Sequence, residues 1–263
     1  MRYFKLVTFI IVLALVVLLP LVTGNEAQST QAIQETNGKT QNESETPEEQ
    51  LPMPSPDKIF PDMMTVLNAS ETQTVNIKES PSANSKSLGV VFGDLMHVDV
   101  IKHLDSGFSE ISTWDYYSMK NIRGFVPTEY IKEIKLDEKF GVVVDLGEQK
   151  VYVYQDDHII KSFLCSTGLD SNDYNTPTGL YRLGARGESF YNPKYKQGAY
   201  YWVRFNNNYL FHSIPYDENE NFIEEEAAKL GQKASHGCIR LSLEDSIWFY
   251  ENVTQGTPVL IKN

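Results

Sequence analysis

The sequence has 263 residues, a formal net charge of −12 and a pI near 4.9, and 41% of its residues are hydrophobic. This length suits two modest domains with tails, and the apolar content is sufficient for hydrophobic cores. The acidic balance disfavours nucleic-acid binding, which needs clustered Lys and Arg, and it would also repel anionic lipid headgroups. We therefore expect no nucleic-acid partner, and any membrane contact should be hydrophobic.

The N-terminal residues have the pattern of an export signal. Arg2 and Lys5 precede an apolar run over residues 6–22, and polar residues follow from Thr23. The run is short for a spanning helix and long for a cleaved signal, and no clear small-x-small cleavage site follows it. We expect residues 1–23 to be an N-terminal membrane anchor or signal segment, with the cell membrane as partner. The protein should then be extracytoplasmic, either membrane-anchored or secreted.

Residues 24–71 are predicted to be a disordered polar linker. As far as about residue 57 the segment is rich in Gln, Glu, Ser, Thr and Asn, and it cannot bury enough apolar surface to offset the entropy of ordering. Its last part is ambiguous, because several apolar residues there could pack on the domain that follows. These residues are Ile59, Phe60, Met63, Met64, Val66 and Leu67.

Residues 72–135 have the pattern of a small all-β unit. The strand-like segments are 74–78, 88–92, 96–100, 123–127 and 130–132. In the third segment Met96, Val98 and Val100 alternate with polar residues, which is the period of a half-buried strand. Five short strands in about sixty residues favour a small barrel.

The order of features in this unit resembles a bacterial SH3-like domain. The matching pieces are Asn76-Ile77-Lys78, the Ser80-Pro81 turn, the Gly93-Asp94 turn, Trp114, Gly124-Phe125-Val126-Pro127 and Tyr130-Ile131. The resemblance implies either a domain that binds cell-wall peptides or a spacer without a ligand, and the sequence leaves both open.

Residues 139–263 are predicted to be a second, mainly β domain with one notable helix. Strands are expected at 141–146, 151–154, 158–165, 180–183, 209–212 and 257–262. Ser242 has the pattern of a helix N-cap, with Asp245 three residues later, and the helix should end near Gly256.

The chemical signal lies in Ser235-His236-Gly237-Cys238-Ile239-Arg240, with His212 upstream. A cysteine attacks a carbonyl as its thiolate, and a nearby histidine supplies the base. Glycine beside the nucleophile permits a turn that aims backbone N–H groups at an oxyanion. Cys165 is the second cysteine, and spacing alone does not exclude a disulfide with Cys238. A zinc site of His212, His236 and Cys238 would offer only three ligands, so no metal is expected.

These motifs resemble the catalytic domain of the L,D-transpeptidases, the family of the YkuD fold. The resemblance extends through Val144-Asp145-Leu146, Ser166-Thr167-Gly168 and Thr176-Pro177-Thr178-Gly179, and it covers nearly all of residues 139–263. Two features depart from the common pattern: Ser213 stands where many members have Gly, and the acidic stretch 216–234 is longer than usual and could be a lid.

The resemblance implies a role for each residue of the motif. Cys238 would be the nucleophile, His212 its base, and Ser213 would orient His212 through its backbone carbonyl. His236, Gly237 and Cys238 would contribute N–H groups to an oxyanion hole. For substrate binding the candidates are Arg240, which could instead brace the loop, and a tyrosine of the 198–202 segment, Tyr200 or Tyr201.

The implied function is that of a cysteine acyltransferase of the bacterial cell envelope without a cofactor. It would form 3→3 cross-links between peptidoglycan stem peptides through a Cys238 thioester, and carbapenem β-lactams would be its inhibitors. One alternative is an L,D-carboxypeptidase, in which water resolves the thioester. A second is a non-catalytic cell-wall-binding protein. A papain-like peptidase is a remote third, because it would have its Cys ahead of its His.

Overall fold

The computed structural model describes residues 59–171 and 173–263, and this part of the chain is mainly β with two α-helices. The first seven strands are β1 Met63–Leu67, β2 Thr74–Lys78, β3 Ser87–Phe92, β4 Asp99–His103, β5 Phe108–Asp115, β6 Lys120–Pro127 and β7 Ile131–Lys135. The next seven are β8 Gly141–Asp145, β9 Lys150–Gln155, β10 His158–Leu164, β11 Gly179–Arg182, β12 Arg186–Asn192, β13 Gln197–Asn206 and β14 Tyr209–Ser213. The chain continues with α1 Glu224–Ala227, β15 Ile239–Leu241, α2 Leu243–Asn252 and β16 Pro258–Lys262.

Strands β2 to β6 form one antiparallel sheet in the order β3-β2-β6-β5-β4. Val75 and Ile77 of β2 are buried while their neighbours face out, as the two-residue period of a strand requires. The sheet confirms a small β unit here, but β3 and β4 remain its edges, so the predicted SH3-like barrel is not shown. The unpredicted strand β5 carries Trp114 into the core.

The predicted disordered linker over residues 24–71 is wrong at its C-terminal end. β1 pairs antiparallel with β7, with Met63 opposite Lys135 and Leu67 opposite Ile131. Apolar side chains at alternate positions of β1 are fully buried, which stabilises an ordered strand over disorder. The rest of the linker up to residue 58, like the predicted anchor at 1–23, lies outside the described residues.

The second predicted domain contains two sheets. One has the order β10-β9-β8-β16-β11, and the other has the order β12-β13-β14-β15. Helix α2 packs against β13 and β14, and Ser242 caps it, since its Oγ accepts the Asp245 N–H at 3.0 Å. The helix ends at Asn252 rather than near Gly256.

The five-stranded sheet of β2 to β6 packs on the rest of the described chain through a continuous hydrophobic core. Polar contacts reinforce this packing at its rim. Arg182 pairs with Asp94 at 2.6 Å, and Arg204 pairs with Glu71 at 3.2 Å. The predicted domain boundary near residue 135 falls in the loop between β7 and β8. The elements on either side of this loop share one hydrophobic core.

Candidate active site

Strand pairing brings His212 and Cys238 together. β14 and β15 run parallel, with Phe211 opposite Ile239 and His212 opposite Arg240. Cys238 immediately precedes β15, so continuing the register places it beside Leu210. Side chains two residues apart on a strand share a face, so His212 and Cys238 can serve one reaction centre.

The backbone carbonyl of Ser213 holds His212 in one orientation and one tautomer. The Nδ1 atom of His212 lies 2.6 Å from the carbonyl oxygen of Ser213. Because a carbonyl only accepts, Nδ1 must carry the proton, which leaves Nε2 of a neutral ring free to take one. Phe190 packs edge-on against the ring at 5.5 Å.

Burial keeps His212 neutral. It lowers the pKa of His212 from 6.5 to about 4, the positive charge of Arg240 acts in the same direction, and the bond to Ser213 opposes both. The imidazole is therefore in its basic form at neutral pH, as a general base must be.

The thiol of Cys238 is surrounded by backbone groups of the neighbouring β13–β14 segment. Its Sγ donates to the carbonyl oxygen of Asn208 at 3.5 Å. Burial raises the pKa of the Cys238 thiol, while the Leu210 N–H and the charge of Arg240 act against this shift. With the thiol pKa raised and the imidazole pKa lowered, the resting pair is neutral.

The turn from Ser235 to Cys238 is held by the Ser235 hydroxyl. Ser235 Oγ accepts the Gly237 N–H at 3.0 Å and donates to the carbonyl of Cys238 at 2.6 Å. This corrects the prediction that Gly237 donates to an oxyanion hole, because its N–H already has a partner. Within the described residues, the structure records no hydrogen-bond partner for the N–H groups of His236 and Cys238, which remain the candidate donors.

Arg240 is held at the site by α1, and its predicted contact with a substrate carboxylate stays a prediction. Its Nη1 donates to Glu226 Oε2 in α1 and lies 3.4 Å from the carbonyl of Ala234. The side chain is 7% exposed. Glu226 belongs to the acidic stretch 216–234, which was predicted as a possible lid. This stretch is therefore linked to Arg240, two positions after Cys238.

A cleft of about 620 Å³ opens over Cys238 and His212. Neither Tyr200 nor Tyr201 lines it, so the structure does not bring these two predicted substrate-binding residues to the cleft. Their rings are engaged elsewhere: Tyr200 packs on Tyr216 with centroids 4.6 Å apart, and Tyr201 packs on Tyr250 at 5.5 Å.

Two other tyrosines line the cleft beside His236. The Tyr195 ring stacks on the His236 ring at 4.8 Å, and Tyr174 lies on it at 4.5 Å. Sequence reasoning missed both, and it also missed Ser235 as a support and Asn208 as the acceptor of the thiol. The first residue of the Ser-His-Gly-Cys motif was a visible signal for Ser235, whereas the tyrosines had none, because they come from loops distant in sequence.

The remaining predicted groups occupy other environments. Cys165 is a free, fully buried cysteine, and burial raises its pKa to about 12. Both cysteines are free, so the disulfide alternative is not formed. Across residues 59–171 and 173–263, no group of three or more His, Cys, Asp or Glu could hold a metal ion. Across the same ranges no helix has the length and hydrophobicity to cross a membrane.

Comparison with known proteins supports the motif at the level of the domain. Residues 139–261 match the family model of the YkuD-type L,D-transpeptidase catalytic domain, as predicted. The protein named "Putative L,D-transpeptidase YciB" of Bacillus subtilis (strain 168) is 43% identical over 122 residues, which are 45% of this chain and 63% of that protein. The chain thus covers slightly less than two thirds of this relative.

Two solved structures show the same partial overlap. An L,D-transpeptidase from Stackebrandtia nassauensis is 28% identical, with 48% of this chain and 56% of that chain covered and a TM-score of 0.39. A fused Zn-dependent amidase/peptidase/peptidoglycan-binding domain-containing protein from Clostridium acetobutylicum is 31% identical, with 47% and 52% covered and a TM-score of 0.38.

Proposed function

We propose that the protein is a peptidoglycan L,D-transpeptidase that forms 3→3 cross-links between stem peptides through a thioester on Cys238. The observation that supports this most directly is the neutral His212, held as its Nδ1–H tautomer by Ser213 beside a thiol in an open cleft. This arrangement suits a base that must take a proton from sulfur and return it to an amine.

In the first half-reaction Sγ of Cys238 attacks the carbonyl carbon of the third stem residue. His212 Nε2 takes the thiol proton as the C–S bond forms, and the N–H groups of His236 and Cys238 face the developing oxyanion. The tetrahedral intermediate collapses with cleavage of the C–N bond. The terminal D-alanine leaves as an amine that receives the proton from His212, and a thioester remains.

In the second half-reaction a side-chain amine of a neighbouring stem attacks the thioester carbonyl. His212 removes a proton from the attacking nitrogen and passes it to the sulfur as the C–S bond breaks. The products are an amide cross-link and the free Cys238 thiol. No redox step occurs. The thiol proton leaves with D-alanine, and a proton from the acceptor amine replaces it on the sulfur.

Product analysis distinguishes this reaction from its nearest alternative. The purified protein would be incubated with a defined tetrapeptide muropeptide, with and without an added acceptor amine, and the products identified by mass spectrometry. A transpeptidase gives a cross-linked dimer and free D-alanine. Tripeptide alone, even with abundant acceptor, would show that water resolves the thioester and that the protein is an L,D-carboxypeptidase.

Inhibition by carbapenems tests the nucleophile directly. A thiol poised to attack an amide carbonyl should also open a strained β-lactam ring, because the same N–H groups stabilise that tetrahedral intermediate. We expect one carbapenem adduct, on Cys238, by intact mass and peptide mapping. His212→Ala should slow its formation, since the base is lost. A folded protein that gains no mass would contradict the proposal.

The finer organisation of the chain is part of the same proposal. We place a membrane anchor or signal at 1–23, a linker up to about residue 58, an SH3-like unit at 72–135 that is either wall-binding or a spacer, and the catalytic domain at 139–263. Such an arrangement would hold the enzyme at the outer face of the membrane, within reach of peptidoglycan.

A further inference from the structure

The turn between β5 and β6, in the five-stranded sheet of β2 to β6, reaches the catalytic cleft. Tyr116, Tyr117 and Met119 line the same cleft as Cys238 and His212. This turn belongs to the sheet predicted to bind the wall independently or to act as a spacer, and neither role would place it at the reaction centre.

The turn has a fixed shape because Asp115 holds it. This carboxylate is buried, and its Oδ1 accepts the Val90 N–H at 2.6 Å while its Oδ2 accepts the Ser118 N–H at 2.7 Å. The Met119 N–H donates to the Asp115 carbonyl at 2.9 Å. Charge-assisted bonds of this kind hold a turn in one conformation, so the tyrosines are presented to the cleft by a preorganised support.

Tyr116 connects this turn to the turn that contacts the nucleophile. Its ring packs edge-on against Tyr209 at 5.7 Å. Tyr116 lines the cleft together with Asn207 and Asn208 of the β13–β14 turn. Burial raises the pKa of the Tyr116 hydroxyl, and the two asparagines act against that shift. The carbonyl of Asn208 is the acceptor of the Cys238 thiol. Tyr116 therefore packs on the turn whose Asn208 carbonyl accepts the Cys238 thiol.

Tyr117 has a different environment. Its side chain is 71% exposed, the highest value among the exposed large hydrophobic residues of the described chain. Its ring meets those of Phe92 and Tyr116 in T-shaped contacts, with centroids 6.3 Å and 5.5 Å apart. Such a ring contributes little to folding and offers a broad apolar face to whatever enters the cleft.

We propose that the β5–β6 turn forms one side of the active site. In this turn Tyr116 is a positioning residue for Asn208 and the thiol, and Tyr117 and Met119 contact the bound stem peptide. The binding part rests on the proposed function, whereas the positioning part concerns the thiol alone. The first sheet would then determine activity directly rather than only by binding the wall elsewhere.

The positioning part is tested without any substrate. The rate of Cys238 alkylation by iodoacetamide is measured against pH for wild type, Tyr116→Phe, Tyr117→Ala and the control Ile101→Ala, an exposed residue of the same sheet that does not line the cleft. Tyr116→Phe keeps the ring and loses the hydroxyl. We expect its alkylation profile to shift and its rate at neutral pH to change about fivefold, the scale of one hydrogen bond. A profile identical to that of Ile101→Ala would overturn the positioning role.

The binding part is tested on the inactive Cys238→Ala background. Titration calorimetry with a tetrapeptide muropeptide gives Kd with and without Tyr117→Ala, and Ile101→Ala again serves as control. We expect Tyr117→Ala to weaken binding about tenfold, as the loss of a buried aromatic contact would, and Ile101→Ala to leave Kd within about twofold. Equal Kd values, or a protein that binds no muropeptide at all, would overturn this part. If only the proposed reaction were wrong, the wild-type protein would show no turnover, while Tyr116→Phe would still change the alkylation profile and Tyr117→Ala would still weaken binding.

Discussion

At the scale of single residues, the two cysteines differ in environment more than in chemistry. Cys165 is fully buried and its pKa is raised to about 12, whereas Cys238 is partly exposed at a cleft. We expect Cys238→Ala to abolish turnover and carbapenem acylation. Cys165→Ala should keep most of both, because it removes only a buried sulfur. Steady-state assays with thermal unfolding as a folding check decide this, and equal losses in the two folded variants would refute the assignment.

The protonation state of His212 gives a prediction for the pH profile. The pKa of His212 is about 4 instead of 6.5, so the base is neutral well below pH 6 and is lost only as the pH falls towards 4. The raised pKa of Cys238 adds no protonation change on the acid side. The acid limb of kcat/KM should therefore lie well below pH 6.5. A limb at pH 6.5 or above would show that the base is not buried as described.

Some residue roles were predictable and others were not. The contact between the His212 ring and the Ser213 carbonyl was implied by the family resemblance, and it joins residues that are neighbours in the chain. Tyr200 and Tyr201 were alternative candidates for substrate binding, and neither lines the cleft. The sequence marks aromatic residues but does not say which face of β13 each ring occupies. Ser235 and Asn208 act through turn geometry that no periodic pattern encodes.

At the scale of the element, the turn before β15 requires glycine at position 237. Gly237 has a φ of +109°, and a Cβ there would lie 2.3 Å from Tyr209 Cε1. Gly107, in the turn between β4 and β5, has a φ of +79° with nothing within 4 Å. Gly237→Ala should thus cost both strain and a clash, about 3 kcal/mol or more, whereas Gly107→Ala should cost only the strain, about 1 kcal/mol.

Urea unfolding of both glycine variants, together with Cys238 acylation by a carbapenem, separates these contributions. Gly237→Ala should lose acylation as well as stability, and Gly107→Ala should acylate at the wild-type rate. If the two variants lose equal stability, the close approach of Tyr209 to Gly237 is not restrictive.

The stretch 216–234 is linked to the site through Glu226. Its carboxylate pairs with the buried Arg240 and, at 2.6 Å, with the half-exposed Lys229. We expect Glu226→Gln to lower the free energy of unfolding by about 2 kcal/mol, because it leaves a buried guanidinium without its counter-charge. Lys229→Gln removes only an exposed partner and should change it by less than about 0.5 kcal/mol. Denaturant titration of both measures the difference, and equal effects would show that the pair with Arg240 contributes no more than a surface contact.

Strands with clear alternation or long apolar runs were predictable from sequence, and strands without them were not. β2, β3, β8, β9 and β14 were predicted close to their observed bounds, whereas β5 was missed. In β5 the buried positions include Ser109, Glu110, Thr113 and Asp115, which form hydrogen bonds or lie between neighbouring strands instead of giving an apolar period. β1 was assigned to a linker because its partner, β7, lies more than sixty residues away.

At the scale of the whole molecule, the two predicted β units behave as one packed body in the described chain. The core extends from the first sheet through Tyr181, Phe205 and Tyr209 to β14 and β15, beside Cys238. Because the two parts share one core, their stabilities are coupled, and destabilising substitutions in the first sheet should also change the reactivity of the Cys238 thiol. That coupling agrees with the inference that the β5–β6 turn forms part of the active site.

The start of this packed body can be located by truncation. A protein lacking residues 1–50 keeps every described element and should be folded and active. A protein lacking residues 1–71 also loses β1, with Met64, Val66 and Leu67 fully buried, and loses Glu71, which pairs with Arg204. Three buried apolar side chains contribute about 1.5–3 kcal/mol each, which is comparable to the whole stability of many domains.

Thermal unfolding and carbapenem acylation of Cys238 in the two truncated proteins provide the measurement. We expect a cooperative transition and full acylation for the shorter deletion. For the longer one we expect unfolding at a much lower temperature, or aggregation, because β7 loses its partner and the core loses its cover. Equal melting temperatures would mean that β1 is dispensable and that the folded body begins after residue 71. An inactive but cooperatively folded protein lacking residues 1–50 would give the N-terminal residues a role in catalysis beyond tethering.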